Sequence, residues 1–366
     1  MKSEFPTEAA GTRGICSVPD RITISKIASE AGVSKATVSR VLNSRPGVLP
    51  ETWDRVMTVI DKYQFQPNIH ACSISQHRCR CIGVVFTLDI DYVFRNPFYT
   101  EMQRVILKVA KAHGYEVLVI CCEELKEAMN AVMEKRVDGL ILISPRQDQS
   151  SAVQDMVKRG ISLVCLGRVR EDVPCFQVCT NNYEGAVMAM RHLGELGHRR
   201  VGYINGPHFL FSSAERYRAY WDTMEKWKSP VTAGLVQEGN NSIESGYTAA
   251  TAIFEANPDI TALFVASDLM AIGALNAIKD RGMSIPEEAA VVGFDNVPIS
   301  KQFTPSLTTI DQHIHKKAET GMELLLDMIE GRPLPDRYCI EVPPTLVTRG
   351  STGRNRQERG RGRTAR

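Results

Sequence analysis

From Ile82 onward the chain alternates short apolar runs with segments of helical periodicity, and this alternation restricts the fold more than any other feature. IGVVF at Ile82–Phe86 precedes a helical pattern from about Pro97 to His113, and YEVLVI at Tyr115–Ile120 precedes one that ends near Arg136. DGLILIS, SLVCL, RVGYI, TAGLV, ALFVAS and AVVGF follow, each separated from the next strand by a helical stretch or a turn. Runs this uniformly apolar suit strands covered on both faces, as in parallel sheets flanked by helices. The series is too long for one open sheet. It predicts an α/β fold of two doubly wound lobes, with a ligand cleft where the carboxyl ends of the strands face each other.

A different rhythm precedes the lobes. SKIASEAG places Ile27, Ala28 and Ala31 on one side and stops at Gly32. SKATVSRVLN has Ser34 as an N-cap and Val38, Val41 and Leu42 at helical spacing. PETWDRVMTVIDKYQF opens on Pro50 and aligns Trp53, Val56, Met57 and Ile60. Three short helices make a small all-α unit. The polar stretch QPNIHACSISQHRCR then holds at most one short helix, over 68–76. The predicted organisation is a disordered extension at 1–20, a headpiece with its hinge at 21–76, a linker at 77–81, the lobes at 82–350 and a basic, unstructured tail at 351–366.

Net charge is only +2, but it is unevenly placed. Residues 21–80 carry nine basic and four acidic side chains, and residues 349–366 carry seven arginines and one glutamate, so the region between them is acidic. A basic unit on an acidic body predicts that one part alone meets a polyanion. No apolar run is long enough to span a bilayer, and the N-terminal residues lack the apolar stretch of a signal peptide, so a cytoplasmic location is expected. The ten cysteines read as reduced structural thiols; Cys79-Arg80-Cys81 and Cys121-Cys122 have no second pair that would make a metal or redox motif.

A helix, a Gly-containing turn and a second helix form the helix-turn-helix arrangement, in which the second helix enters the major groove. Residues 34–40 fit that task. Ser34, Thr37 and Ser39 are small hydroxyls able to approach phosphates, Lys35 and Arg40 bring charge, and no acid lies among them.

The residues RITISKIASEAGVSKATVSRVLN and the following segment through Pro67-Asn68 closely resemble the N-terminal domain of the lactose/galactose repressor (LacI/GalR) family. The resemblance continues in the body: NPFY at Asn96–Tyr99, RVDGLIL at Arg136–Leu142, LGHRRVGYINGP at Leu196–Pro207, SSAERYRAY at Ser212–Tyr220, SDLMAIGAL at Ser267–Leu275, VVGFDN at Val291–Asn296 and PSLTTIDQ at Pro305–Gln312. It implies a homodimeric regulator of transcription, most often a repressor, with lobes of the periplasmic-binding-protein-like type. Lys35, Ala36 and Arg40 take the base-reading positions, Lys and Arg being suited to guanine edges. Thr23, Ser34, Thr37, Ser39 and Asn43 take backbone-positioning or groove-edge positions. Asn68, Ala71 and Ile74 fall in the hinge helix that enters the minor groove, where Ile74 stands in place of the usual wedging Leu and Cys72 in place of Arg.

Matching effector positions are Arg216, Asp268, Asp295 and Gln312. A fork donor and carboxylates facing a cleft suit the hydroxyls of a sugar, or a purine base. The sequence departs from common family residues at Gly167-Arg168, Asn181-Asn182 and Ser267, and DIDYVFR reads as an insertion before NPFY. Operator DNA and a small sugar-like effector are the implied partners, with no membrane and no cofactor. An enzyme would need a nucleophile–base pair or metal ligands at fixed spacing. His113, His192, His198, His208, His313 and His315 are scattered, and no catalytic or metal residue is predicted. A transport component would share the lobes but have no use for residues 21–76.

Overall fold

The computed structural model describes residues 22–42, 46–65 and 78–354, which fall into two compact units divided after His77. Asn43, Asn68, Ala71 and Ile74, the extension at 1–20 and the expected hinge helix at 68–76 lie outside the described residues.

The first unit is three helices: α1 (Ile24–Ala31), α2 (Lys35–Leu42) and α3 (Pro50–Lys62). Thr23 caps α1, its hydroxyl accepting the Lys26 N–H at 3.3 Å. The helix stops at Gly32, whose φ of 64° lies in the left-handed region that glycine enters without strain. Ser34 Oγ then accepts the Thr37 N–H at 3.1 Å and opens α2. Pro50 begins α3, where its missing N–H costs nothing. Ile27, Ala28, Ala31, Val38, Val41, Val56, Val59 and Ile60 form the core. Leu42, Trp53 and Met57, aligned with these residues in the sequence pattern, cover its edge.

The second unit contains two six-stranded sheets. One lobe is built from β1 (Cys81–Phe86), β2 (Glu116–Cys121), β3 (Gly139–Ile143), β4 (Leu163–Leu166), β5 (Phe176–Thr180) and β11 (Cys339–Val342), in the order 11-5-4-3-1-2, all parallel. The other uses β6 (Val201–Asn205), β7 (Val236–Glu238), β8 (Ala262–Val265), β9 (Ala290–Asp295), β10 (Thr308–Asp311) and β12 (Thr345–Val347), in the order 12-10-9-8-6-7, with β12 alone antiparallel. The chain therefore crosses between lobes three times: after β5, after β10 and between β11 and β12.

The helices are α4 (Ile90–Arg95), α5 (Pro97–Ala112), α6 (Leu125–Met133), α7 (Ser150–Lys158), α8 (Asn182–Glu195), α9 (Phe211–Lys226), α10 (Ile243–Ala256), α11 (Asp268–Asp280), α12 (Ile299–Gln302) and α13 (Ile314–Glu330). Helices α10 and α11 pack backbone to backbone: a Cβ on Gly273 would fall 2.0 Å from the Ile243 carbonyl oxygen. No described helix is long and apolar enough to cross a membrane.

Several expectations shift. β5, β10 and β11 escaped the sequence reading because Gln177, Thr180, Thr308, Thr309 and Glu341 interrupt their apolar character, and β12 because it is only three residues long. TAGLV is mainly a turn, with Gly234 at φ 76°, and β7 begins only at Val236. The body also runs beyond 82–350 at both ends. The Cys79 and Arg80 N–H groups bond Asp138, so they are not linker, and Ser351, expected to open the unstructured tail, is fully buried, its Oγ donating to the Val291 carbonyl at 2.7 Å. Residues 355–366 of that tail lie outside the described residues.

Candidate functional site

On the three-helix unit, the residues singled out in α2 form one polar surface. Lys35, Ala36 and Arg40 are exposed, and Thr37 and Ser39 are half-buried beside them. Neither Lys35 nor Arg40 makes an ion pair among the described residues, and the first turn of α2 has no acid. The hydroxyls of Thr23 and Ser34 face their own helix N-termini, where they fix the ends of α1 and α2. The result is a rigid cationic helix face with its charged groups uncommitted, as a phosphate- and base-contacting surface requires.

In the body, a cavity opens between the lobes at the carboxyl ends of the strands. Such a location follows from the doubly wound topology. One lobe lines it with Asn96, Phe98 and Tyr99 from the start of α5, Ser144 after β3, Arg168 after β4, Cys179 and Thr180 from β5, and Lys317 from α13. The other contributes Arg216 from α9, Asn241, Ser267, Asp295 from the end of β9 and Gln312 after β10. Asn182, at the first crossing, links the two sets.

Arg216 is buried. Its Nε and Nη2 both donate to Asn182 Oδ1, at 3.1 and 2.8 Å, Nη1 bonds the Ala266 carbonyl, and its guanidinium carbon lies 3.7 Å over the Phe294 ring. Burial draws its pKa down, with Asp295 opposing. Asp295 follows Phe294 with φ at 129°, a conformation that L residues rarely adopt and that recurs at ligand sites. Gln312 Nε2 donates to Asp295 Oδ1 at 2.5 Å. Burial pushes the Asp295 carboxyl up to about 6, while Arg216 restrains the rise.

Arg216, Asp295 and Gln312 are thus brought together on the cavity wall. Asp268 is not. It is fully buried with both oxygens occupied, by the Thr309 hydroxyl at 2.5 Å and the Val297 N–H at 2.9 Å, and it anchors the turn after β9 from behind. Its expected contact with an effector is therefore corrected to a supporting role. The sequence reading missed Lys317, Asn182, Thr180 and Tyr99. Lys317 was hidden in the stripe Ile314, Lys317, Ala318, Gly321, where a polar residue at a core position was the available signal.

The lobes touch across the cavity mouth. Asn241 Nδ2 donates to Tyr92 Oη at 2.9 Å, and the Gln147 N–H to the Phe209 carbonyl at 2.9 Å. Tyr92 belongs to the inserted segment, which forms α4.

The eight described cysteines are free thiols. Two pairs come close: Cys165 with Cys175 at 3.7 Å, and Cys179 with Cys339 at 3.3 Å between sulfurs. Cys179, Cys339 and Glu341 gather ligand atoms within 4.8 Å of one another, a grouping the spacing of the cysteines did not reveal.

A helix-turn-helix unit joined to a two-lobed body with an interlobe cavity defines a DNA-binding regulator that answers to a small molecule. Residues 23–68 match the model of bacterial regulatory proteins of the lacI family, and residues 190–352 match a periplasmic binding protein-like domain. The chain is 33% identical over 336 residues to the ribose operon repressor of Halalkalibacterium halodurans, covering 90% of this chain and 97% of that one. It is 33% identical over 337 residues to the transcriptional repressor PurR of Edwardsiella ictaluri, covering 90% and 96%. Among solved structures it is similar to the lac repressor dimer bound to operator and an anti-inducer, with TM-score 0.81, 26% identity and coverage of 91% and 100%. The chain belongs to the LacI family. It is a DNA-binding transcriptional regulator, not an enzyme.

Proposed function

We propose that this protein is a cytoplasmic homodimeric repressor whose grip on operator DNA is set by a small sugar or sugar derivative held in the interlobe cavity. The observation that carries the reading is the convergence of Arg216, Asn182, Asp295 and Gln312 on one cavity wall, in a chain that also exposes Lys35 and Arg40 on α2. A guanidinium and a carboxylate held in fixed geometry satisfy the donors and acceptors of a polyhydroxylated ligand.

Lys35, Ala36 and Arg40 read base edges, while Thr23, Ser34, Thr37, Ser39 and Asn43 set the register on the phosphates. Asn68, Ala71 and Ile74 enter the minor groove, with Ile74 as the wedge. The ribose operon repressor among the relatives supports a sugar-like ligand. A ligand that favours one relative placement of the lobes shifts the DNA-bound population through its differential affinity for the two placements.

Selection from a genomic fragment library at about 150 mM salt, where charge-only binding is suppressed, tests the DNA side. An enriched pseudo-palindrome supports the reading; recovery without sequence preference overturns it.

A further inference from the structure

We propose that the effector is a sugar acid or a sugar phosphate whose anionic group sits on the Lys317 ammonium. This rests on the reading of the interlobe cavity as the effector site.

Lys317 lies on the cavity wall and is only 4% exposed. An ammonium has three donors and takes an opposite charge or several acceptors when buried. Among the described residues, the Lys317 ammonium makes one hydrogen bond, to Gln312 Oε1 at 3.4 Å, and no ion pair. Its nearest aromatic, Phe98, has its ring centre 5.7 Å away. Burial brings the Lys317 pKa down to about 8, which leaves it cationic at neutral pH.

The other cations on the wall have more partners than Lys317. Arg168 is charge-paired with Glu215 and Glu341, each at 2.7 Å, although its buried Nε makes no hydrogen bond. Arg216 gives three of its five N–H donors to Asn182 and the Ala266 carbonyl and keeps the other two for ligand hydroxyls. Asp295 is the one carboxylate on the wall, and the Gln312 amide stands between it and Lys317, giving its NH₂ to Asp295 and its oxygen to Lys317. That amide holds the two charges apart and keeps the ammonium available to an outside anion. The wall is therefore divided: Asp295, Asn182 and Arg216 suit hydroxyls, and Lys317 suits a carboxylate or phosphate. A neutral sugar would leave the buried ammonium with weaker, uncharged acceptors.

Calorimetry on the full chain with glucose, gluconate, glucuronate, glucose phosphate and hypoxanthine tests the proposal. At least one acidic member should bind about a hundredfold tighter than glucose, and Lys317→Met should abolish that margin while Lys317→Arg largely keeps it. Tight binding by glucose phosphate alone assigns the phosphate; tight binding by gluconate or glucuronate assigns the carboxylate. Equal binding of glucose, or preference for hypoxanthine, overturns the anionic assignment and leaves the effector-site reading standing. So does acid-sugar binding that Lys317→Met leaves unchanged. Binding by no member of the panel, while operator DNA is still selected, overturns the anionic assignment without touching the DNA-binding reading. Should Lys317→Met fail to fold by circular dichroism, Lys317→Gln replaces it with the same expected loss.

Discussion

Arg216 stacks over Phe294 with its guanidinium carbon 3.7 Å from the ring centre, and Phe294 is the residue immediately before Asp295. One contact thus places the cavity's best fork donor and its carboxylate together, tying α9 to the end of β9. Arg216→Lys cannot both stack and bond Asn182 through two nitrogens. It should lower effector affinity by about 2–3 kcal/mol, since a buried charged hydrogen bond is lost, and calorimetry with the identified effector measures this.

Arg40 should discriminate bases. Arg40→Ala is expected to cost about 1–3 kcal/mol on the operator and much less on random DNA, because a bidentate base contact carries sequence information whereas a phosphate contact does not. Competition binding with both DNAs checks it; equal losses would reassign Arg40 to the backbone.

Asp295 gives the protein a distinctive acid response. Its carboxyl titrates near 6 in the folded chain, against an ordinary value of 3.8. Between those two values the folded chain holds a proton that the unfolded chain has released, so this group makes stability fall as pH rises through that window. Asp295→Asn should remove that contribution. Urea unfolding of both proteins from about pH 4 to pH 7 should show the variant gaining on the parent as pH increases.

Tyr92 and Asn241 clasp the lobes across the cavity mouth. Tyr92→Phe removes one hydrogen bond, worth about 0.5–1.5 kcal/mol. Effector release, followed by stopped flow, should quicken by a few-fold to about tenfold, with a smaller change in the association rate.

Cys339 should be the most reactive of the paired thiols. The hydrogen bond with Cys179 and the nearby Arg168 bring its pKa to about 7, while that same contact and burial raise Cys179. Brief alkylation at neutral pH followed by peptide mapping should label Cys339 well before Cys165 or Cys175.

Much of this molecule was legible in its sequence. The βα alternation pointed to two lobes, and small hydroxyls beside Lys35 and Arg40 marked α2 as the helix proposed to face DNA. Asp295 and Gln312 were reached through the family resemblance, on VVGFDN and PSLTTIDQ. Asp268 occupies an equally suggestive position, yet its carboxylate turns inward to Thr309 and Val297, and side-chain direction is set by packing that no local pattern encodes. Lys317 failed in the opposite sense, lying on an apolar helical stripe that marks a core. Cys179 and Cys339 are 160 residues apart and meet only because β11 returns beside β5.

The central claim is that the interlobe cavity and the DNA-binding surface are coupled. The most direct test is to measure effector affinity by calorimetry with and without saturating operator. Linkage requires the two affinities to differ, by roughly 5- to 150-fold for a coupling of about 1–3 kcal/mol, and operator affinity to change by the same factor when effector is added. Identical effector affinities in the presence and absence of operator would contradict the account.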